Sequence, residues 1–150
     1  MAILVTGAAG FIGFSVTARL LARGDEVIGL DNINDYYSVQ LKQDRIAKLK
    51  RDFGQAFTFI HGDFAEFDGL VASLKPHRIS SVVHLGAQAG VRYSLRNPHA
   101  YVRSNLVGHL NLLEYCRHSD ACNQLIYASS SSVYGSNPKL PFAIEDRIDH

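Results

Sequence analysis

Glycine spacing constrains this chain more than any other feature. Gly7, Gly10 and Gly13 follow directly on the apolar run Ile3-Leu4-Val5 and open a segment of helical period. A strand that turns sharply into a helix through such a loop is the opening of a doubly wound α/β sheet. Gly7 permits the tight turn, Gly10 lets backbone approach a pyrophosphate, and Gly13 lets the helix pack close to the strand. The helix start at Phe11 and Ile12 presents unpaired N–H groups to a doubly charged anion. Gly7, Gly10, Phe11, Ile12 and Gly13 are therefore expected to cradle a dinucleotide. The spacing Gly-x-x-Gly-x-x-Gly is one residue longer than the dehydrogenase form Gly-x-Gly-x-x-Gly.

A second signal comes where the next strand, Glu26 to Leu30, ends in Asp31. A carboxylate about 20 residues past such a loop accepts hydrogen bonds from the adenosine ribose and repels a 2′-phosphate. The residues that follow are Asn32, Ile33 and Asn34, with no arginine, so NAD is expected over NADP. Without a ligand, Asp31 would read as a turn residue. His61-Gly62-Asp63-Phe64 closes the third strand on the same ligand-bearing edge. Asp63 is read in two ways, as an acceptor for the adenine amino group or as an N-cap for the following helix.

Strand-like runs alternate with helical segments along the whole chain. Strands are expected at Ile3–Val5, 26–30, 57–60, 81–85 and 125–128, and helices at 11–22, 39–50, 66–74 and 98–118. In the first helix Ile12, Val16 and Leu20 recur every four residues, which predicts its buried face. In the last, Val102, Leu106, Leu113 and Cys116 form a stripe expected to be mostly core. Connections too long for hairpins make the sheet parallel and covered on both faces. The fold class is thus α/β, a Rossmann-type doubly wound parallel sheet. Glu145 to His150 reads as a loop between elements, so the sheet is expected to be incomplete at its C-terminus. Residues 1–150 are read as one NAD-binding domain.

Composition excludes several other classes. Apolar residues make up 47% of the 150 and charged residues 19%, an ordinary globular balance, and the net charge of +1 gives no pull toward nucleic acid or membrane. No apolar run approaches a membrane span, and Met1 to Val5 lacks a secretory leader. Cys116 and Cys122 match no zinc or disulfide spacing, and His84 has no second ligand spaced for it, so no metal is expected. The two cysteines read as reduced thiols of a cytoplasmic protein.

Taken together, Thr6 to Gly13, Asp31, Asp63, His84-Leu85-Gly86-Ala87, Asn105 and Ser129 to Gly135 resemble the extended short-chain dehydrogenase/reductases that act on nucleotide sugars. Asp31 to Tyr37, Gln88 to Ser94 and Tyr127 to Gly135 are most similar to the UDP-glucuronate 4-epimerases among them. The resemblance extends over the whole chain. It implies a NAD-dependent hydride round trip: a tyrosine, made basic by a lysine four residues later, takes the proton of the sugar 4-hydroxyl. The resulting 4-keto sugar then rotates and is reduced on its other face. It also brings Asn32, Phe64, Leu85, Gly86, Ala87, Ala89, Asn105, Ala128 and Ser129 into the cofactor site, Gly86, Ala87 and Ala89 being small enough to line its passage.

By the same resemblance Ser130 hydrogen-bonds the reacting 4-hydroxyl, with Ser131 beside it in the substrate site. Without the resemblance, Ser129 to Ser132 would read equally well as a polar strand end. In the related 4,6-dehydratases the positions of Ser131 and Ser132 carry Asp and Glu, so two hydroxyls count against dehydration. Tyr134 matches a turn tyrosine; the catalytic Tyr-x-x-x-Lys pair is expected about five residues beyond His150. Arg92 is a candidate for the substrate's anionic end, or for an ordinary ion pair. The implied partners are a UDP-sugar and a second copy of the full-length protein, packed partly through the last helix. UDP-glucose epimerisation, UDP-glucuronate decarboxylation and a non-catalytic NAD-binding module are the alternatives, the last suiting the 150 residues by themselves.

Overall fold

A computed structural model describes residues 1–148; Asp149 and His150 of the expected terminal loop lie outside the described residues. Five apolar runs form the strands β1 (Ala2–Thr6), β2 (Val27–Asp31), β3 (Phe57–His61), β4 (Ile79–His84) and β5 (Gln124–Tyr127). They lie in the order β3-β2-β1-β4-β5, and every pair is parallel. Leu4 at the centre of β1 pairs with Ile28 on one side and Val82 on the other. The register also aligns Asp31 with His61, Thr6 with His84 and His84 with Tyr127, so one edge of the sheet collects the strand ends that carry the expected site.

Successive strand residues point to opposite faces, and each face has its own core. Val5, Val27 and Phe57 pack with Leu21, Ile46 and Leu49 of α1 (Phe11–Arg23) and α2 (Val39–Phe53). Leu4, Ile28, Leu30 and Val82 pack on the other face with Leu70 and Leu74 of α3 (Phe67–Leu74). Two single-turn helices, α4 (Val91–Ser94) and α5 (Pro98–Tyr101), lead through a π-helical stretch, Val102–Val107, into α6 (Gly108–His118), which adds Leu112 to that second core. Fully burying each such aliphatic side chain contributes about 1.5 to 3 kcal/mol, so the two cores dominate the stability of the sheet. Among the described residues no helix is long and apolar enough to cross a membrane.

Two helix faces differ from the sequence expectation, and one cause accounts for both. In α1 the buried residues are Gly13, Thr17 and Leu21, while Ile12 is 62% exposed. A methyl on Gly13 would collide with the carbonyl of Gly7, so only glycine can face β1 there, and residues four and eight later follow it inward. In α6 the buried residues are Gly108 and Leu112. A methyl on Gly108 would run into the ring of Phe64, so this glycine too fixes the rotation of its helix. The predicted stripe is consequently turned outward: Val102, Leu106 and Leu113 are exposed and Cys116 is half-buried.

Candidate functional site

Gly7 leaves β1 with φ +69°, a left-handed conformation that favours glycine. Its N–H donates to the Leu30 carbonyl at 2.8 Å, and its own carbonyl accepts from Gly10 N–H at 2.9 Å. A side chain on Gly7 would lie 2.8 Å from Gly86 Cα, so the exits of β1 and β4 touch backbone to backbone. No side chain caps the N-terminus of α1, and its first turn holds no acidic residue. The positive end of the helix dipole therefore has no built-in counter-charge, and a turn free of Cβ atoms lies beside it. That arrangement fits a pyrophosphate.

Asp31 is 7% exposed. One carboxylate oxygen accepts from Ala9 N–H at 3.1 Å and the other from Ile33 N–H at 2.8 Å. Each oxygen keeps a lone pair for a ribose hydroxyl while the carboxylate pins the glycine loop to the loop after β2. A groove runs past it, and of the expected cofactor residues Gly7, Gly10, Asp31, Asn32, Phe64, Leu85, Gly86 and Ala87 line it. Asn34, Tyr36, Tyr37, Lys42, Gln88 and Ser104 line it as well. Asn34, Tyr36, Tyr37 and Gln88 belong to the segments that carry the narrower resemblance, so a signal for them existed. Lys42 had none: it is buried on α2, and its ammonium donates to Asn34 through both the carbonyl and the side-chain oxygen, each at 2.8 Å.

Asp63 lies in a separate depression with His61, Glu66 and Leu70. Its oxygens accept from Ala65 N–H at 2.9 Å and from the Arg103 guanidinium at 3.0 Å. Glu66, not Asp63, is the N-cap residue of α3, so the capping alternative takes the form of a local turn.

A second cavity adjoins the groove through Leu85, Gly86 and Ala87, and adds Asn105, Ala128, Ser129 and Ser130 with His84, His109 and Tyr127. Asn105 sits in the π-helical stretch, where an extra residue per turn re-aims side chains. Its amide bonds both backbone groups of Gln88, accepting from N–H at 2.8 Å and donating to the carbonyl at 3.1 Å. Ser130 caps a 3-10 turn, Ser131–Tyr134, accepting from Ser132 N–H at 3.2 Å. His84 is buried at the cavity floor. Thr6 Oγ1 accepts from Gly86 N–H at 3.1 Å and shares a second hydrogen bond with His84 Nδ1, 2.7 Å away, so one hydroxyl ties the imidazole to the exit of β4. Burial, helped by charge repulsion from neighbouring His109, pushes the His84 pKa down to about 4 and keeps it neutral near pH 7.

The remaining expected residues lie outside both cavities. Phe11 and Ile12 point their side chains to solvent, Ser131 and Arg92 are exposed, and Arg92 forms no ion pair among the described residues. Ala89 contributes only its carbonyl, which accepts from the Tyr101 hydroxyl at 2.8 Å. Tyr134 stacks on Phe142 with ring centroids 4.7 Å apart. Burial raises the Cys116 thiol to about 12, which leaves it a poor nucleophile. No group of three or more His, Cys, Asp or Glu able to hold a metal occurs among the described residues.

Comparison with known proteins places this geometry among relatives. A family model described as GDP-mannose 4,6 dehydratase matches residues 4–149. An uncharacterized protein of Methanocaldococcus jannaschii is 52% identical over 149 residues, covering 98% of this chain and 45% of that protein. UDP-glucuronate 4-epimerase 2 of Arabidopsis thaliana is 47% identical over 149 residues, covering 99% of this chain and 34% of the plant protein. The chain thus spans less than half the length of these relatives. Among solved structures, a UDP-glucuronic acid 4-epimerase variant from Bacillus cereus, in complex with NAD and a fluorinated UDP-glucuronic acid, superposes with a TM-score of 0.84 at 35% identity, over 97% of this chain and 45% of that one.

Proposed function

The chain belongs to the GDP-mannose 4,6 dehydratase family, and from that membership we propose that the complete protein is a NAD-dependent UDP-sugar 4-epimerase acting on UDP-glucuronate. The observation that carries this reading is the second cavity, in which Asn105 and the Leu85–Ala87 backbone meet Ser129 and Ser130. A cofactor held along the glycine groove would reach this cavity past the shared Leu85–Ala87 wall. Hydroxyls at Ser131 and Ser132, where dehydration needs an acid and a base, favour epimerisation within the family. The glucuronate is supported by relatives named as UDP-glucuronate 4-epimerases at 47% and 48% identity.

Bound NAD would supply a reversible two-electron acceptor, and residues of this chain would hold it and orient the sugar. The Gly7–Gly13 turn and the α1 N-terminus hold the pyrophosphate, Asp31 and Asn32 take the adenosine ribose, and Asn105 steadies the nicotinamide side. Ser130 hydrogen-bonds the sugar 4-hydroxyl and passes its proton toward the tyrosine base expected beyond His150. Neutral His84 adds no charge beside the reacting carbon. Arg92, without an ion pair among the described residues and on exposed α4, is assigned to the sugar carboxylate, and Arg92→Ala should erase discrimination between UDP-glucuronate and UDP-glucose. The outward stripe Val102, Leu106 and Leu113 is assigned to a homodimer of the complete protein.

The complete protein, incubated with UDP-glucuronate, should yield UDP-galacturonate and release NAD on heat denaturation. Conversion of UDP-glucose alone would overturn the substrate, and absence of bound or bindable NAD would overturn the reading itself. Residues 1–150 by themselves should bind NAD without turnover.

A further inference from the structure

The cofactor groove has two walls that come from distant parts of the chain. Asn32, Asn34, Tyr36 and Tyr37 rise from the loop after β2, and Ala87 and Gln88 from the loop after β4. A bridge of aromatic rings joins them. The Tyr36 hydroxyl fills the space that a side chain on Gly90 would take, and Gly90 itself has φ +93°. The Tyr36 ring packs on Tyr93 with centroids 4.9 Å apart, and Tyr93 lies 6.4 Å from Tyr101. Tyr101 in turn shares its hydroxyl between the carbonyls of Ala89 and Gly90. The second wall is thus tied at its base by Asn105 and at its tip by Tyr101, while Tyr36 and its contacts span the gap.

We infer that Tyr36, Tyr93 and Tyr101, closing on Gly90, form a clasp across the groove that gates uptake and release of the dinucleotide, so that one cofactor molecule serves many turnovers. The inference rests on the NAD-dependent reading above. Its physical basis is that aromatic contacts are short-ranged: parting the walls loses the Tyr36–Tyr93 packing and the Gly90 contact together, with no hydrogen bond of the groove floor disturbed. A round-trip reaction leaves NAD unchanged, so slow release costs nothing in turnover. Tyr93 and Tyr101 line neither cavity, so replacing them alters the clasp without removing a groove wall.

A gate and a binding contact leave different kinetic signatures. Loss of a contact that holds ligand speeds release alone, whereas loss of a gate speeds both uptake and release. The test is stopped-flow mixing of NADH with the cofactor-free complete protein, followed by a chase with excess NAD, for wild type, Tyr93→Leu and Tyr101→Phe. The clasp predicts association and dissociation each about tenfold faster in both variants, with Kd shifted by less than about threefold. An unchanged association rate in both variants would overturn the clasp and leave the NAD reading intact. A wild type that binds no NADH would overturn the NAD reading first.

Discussion

Along β1, four of five residues are buried, whereas three of the four in β5 are exposed. The two strands serve the same edge of the sheet with opposite construction. Around β1 and β2 the site is continuous with the core: Asp31 holds two loops by their N–H groups, Gly13 sits against the Gly7 carbonyl, and Leu4 and Val5 are 0% exposed. Around β5 the serines rest on a 3-10 turn, and Ile126 and Tyr127 are half open to solvent. The end proposed to hold the cofactor is therefore set by folding itself, while the end proposed to react is held by few contacts. Changes on the first side should be read in stability and those on the second in chemistry.

The largest effect should come from Gly13→Ala. Backbone atoms of Gly7 and Ala8 surround the new methyl and leave nothing flexible to give way, so a loss of about 4 kcal/mol is expected in urea unfolding. A matched pair tests the comparison directly. Leu4→Ala should cost about 3 kcal/mol through its cavity, and Ile126→Ala less than about 0.5 kcal/mol; similar costs would dissolve the contrast.

His84 sharpens the comparison through pH, because it joins β1 to β4 through Thr6. In the folded protein it stays neutral down to about 4, while in the unfolded chain it takes up its proton near the ordinary value of about 6.5. Between those values the unfolded state binds more protons. Stability is therefore full above about pH 6.5 and falls by roughly 2 to 3 kcal/mol as the pH drops toward about 4. His84→Asn should flatten that slope by one proton in denaturant melts across the same range. Ser130→Ala should have the smallest effect on folding, about 1 kcal/mol or less, since it removes only the cap of a short turn. Turnover by the complete protein should nonetheless fall about a hundredfold, read as kcat with unchanged cofactor content.

The fold was legible wherever local rules act alone. Strand positions, the parallel arrangement and the glycine turn follow from short apolar runs and backbone sterics, and the observed strand bounds differ from the expected ones by two residues or fewer. Much of the groove and the second cavity was legible as well, because residues at strand ends are brought together by the sheet. What escaped depends on contacts between distant segments. Ile12, Val16 and Leu20 share a helical period, but period alone does not say which face turns inward; the seat of Gly13 on the Gly7 carbonyl does. A lysine on a helix ordinarily faces water, yet the Asn34 oxygens fold back over the Lys42 ammonium and let it be buried. The tyrosine bridge joins residues more than fifty positions apart, and no local pattern encodes it.

Phe64 shows how tightly such long-range fits bind positions together. Its ring fills the space where a methyl on Gly86 would lie 2.5 Å away, and it bars a methyl on Gly108 from the opposite side. It also meets the His84 ring edge-on at 5.2 Å. Enlarging either glycine requires a smaller residue in place of Phe64, and shrinking Phe64 opens a void that only enlarged glycines would fill. The groove floor, the α6 helix and the His84 cavity thus share one ring as their common seat, and a change of volume at any of the three positions is felt at the other two.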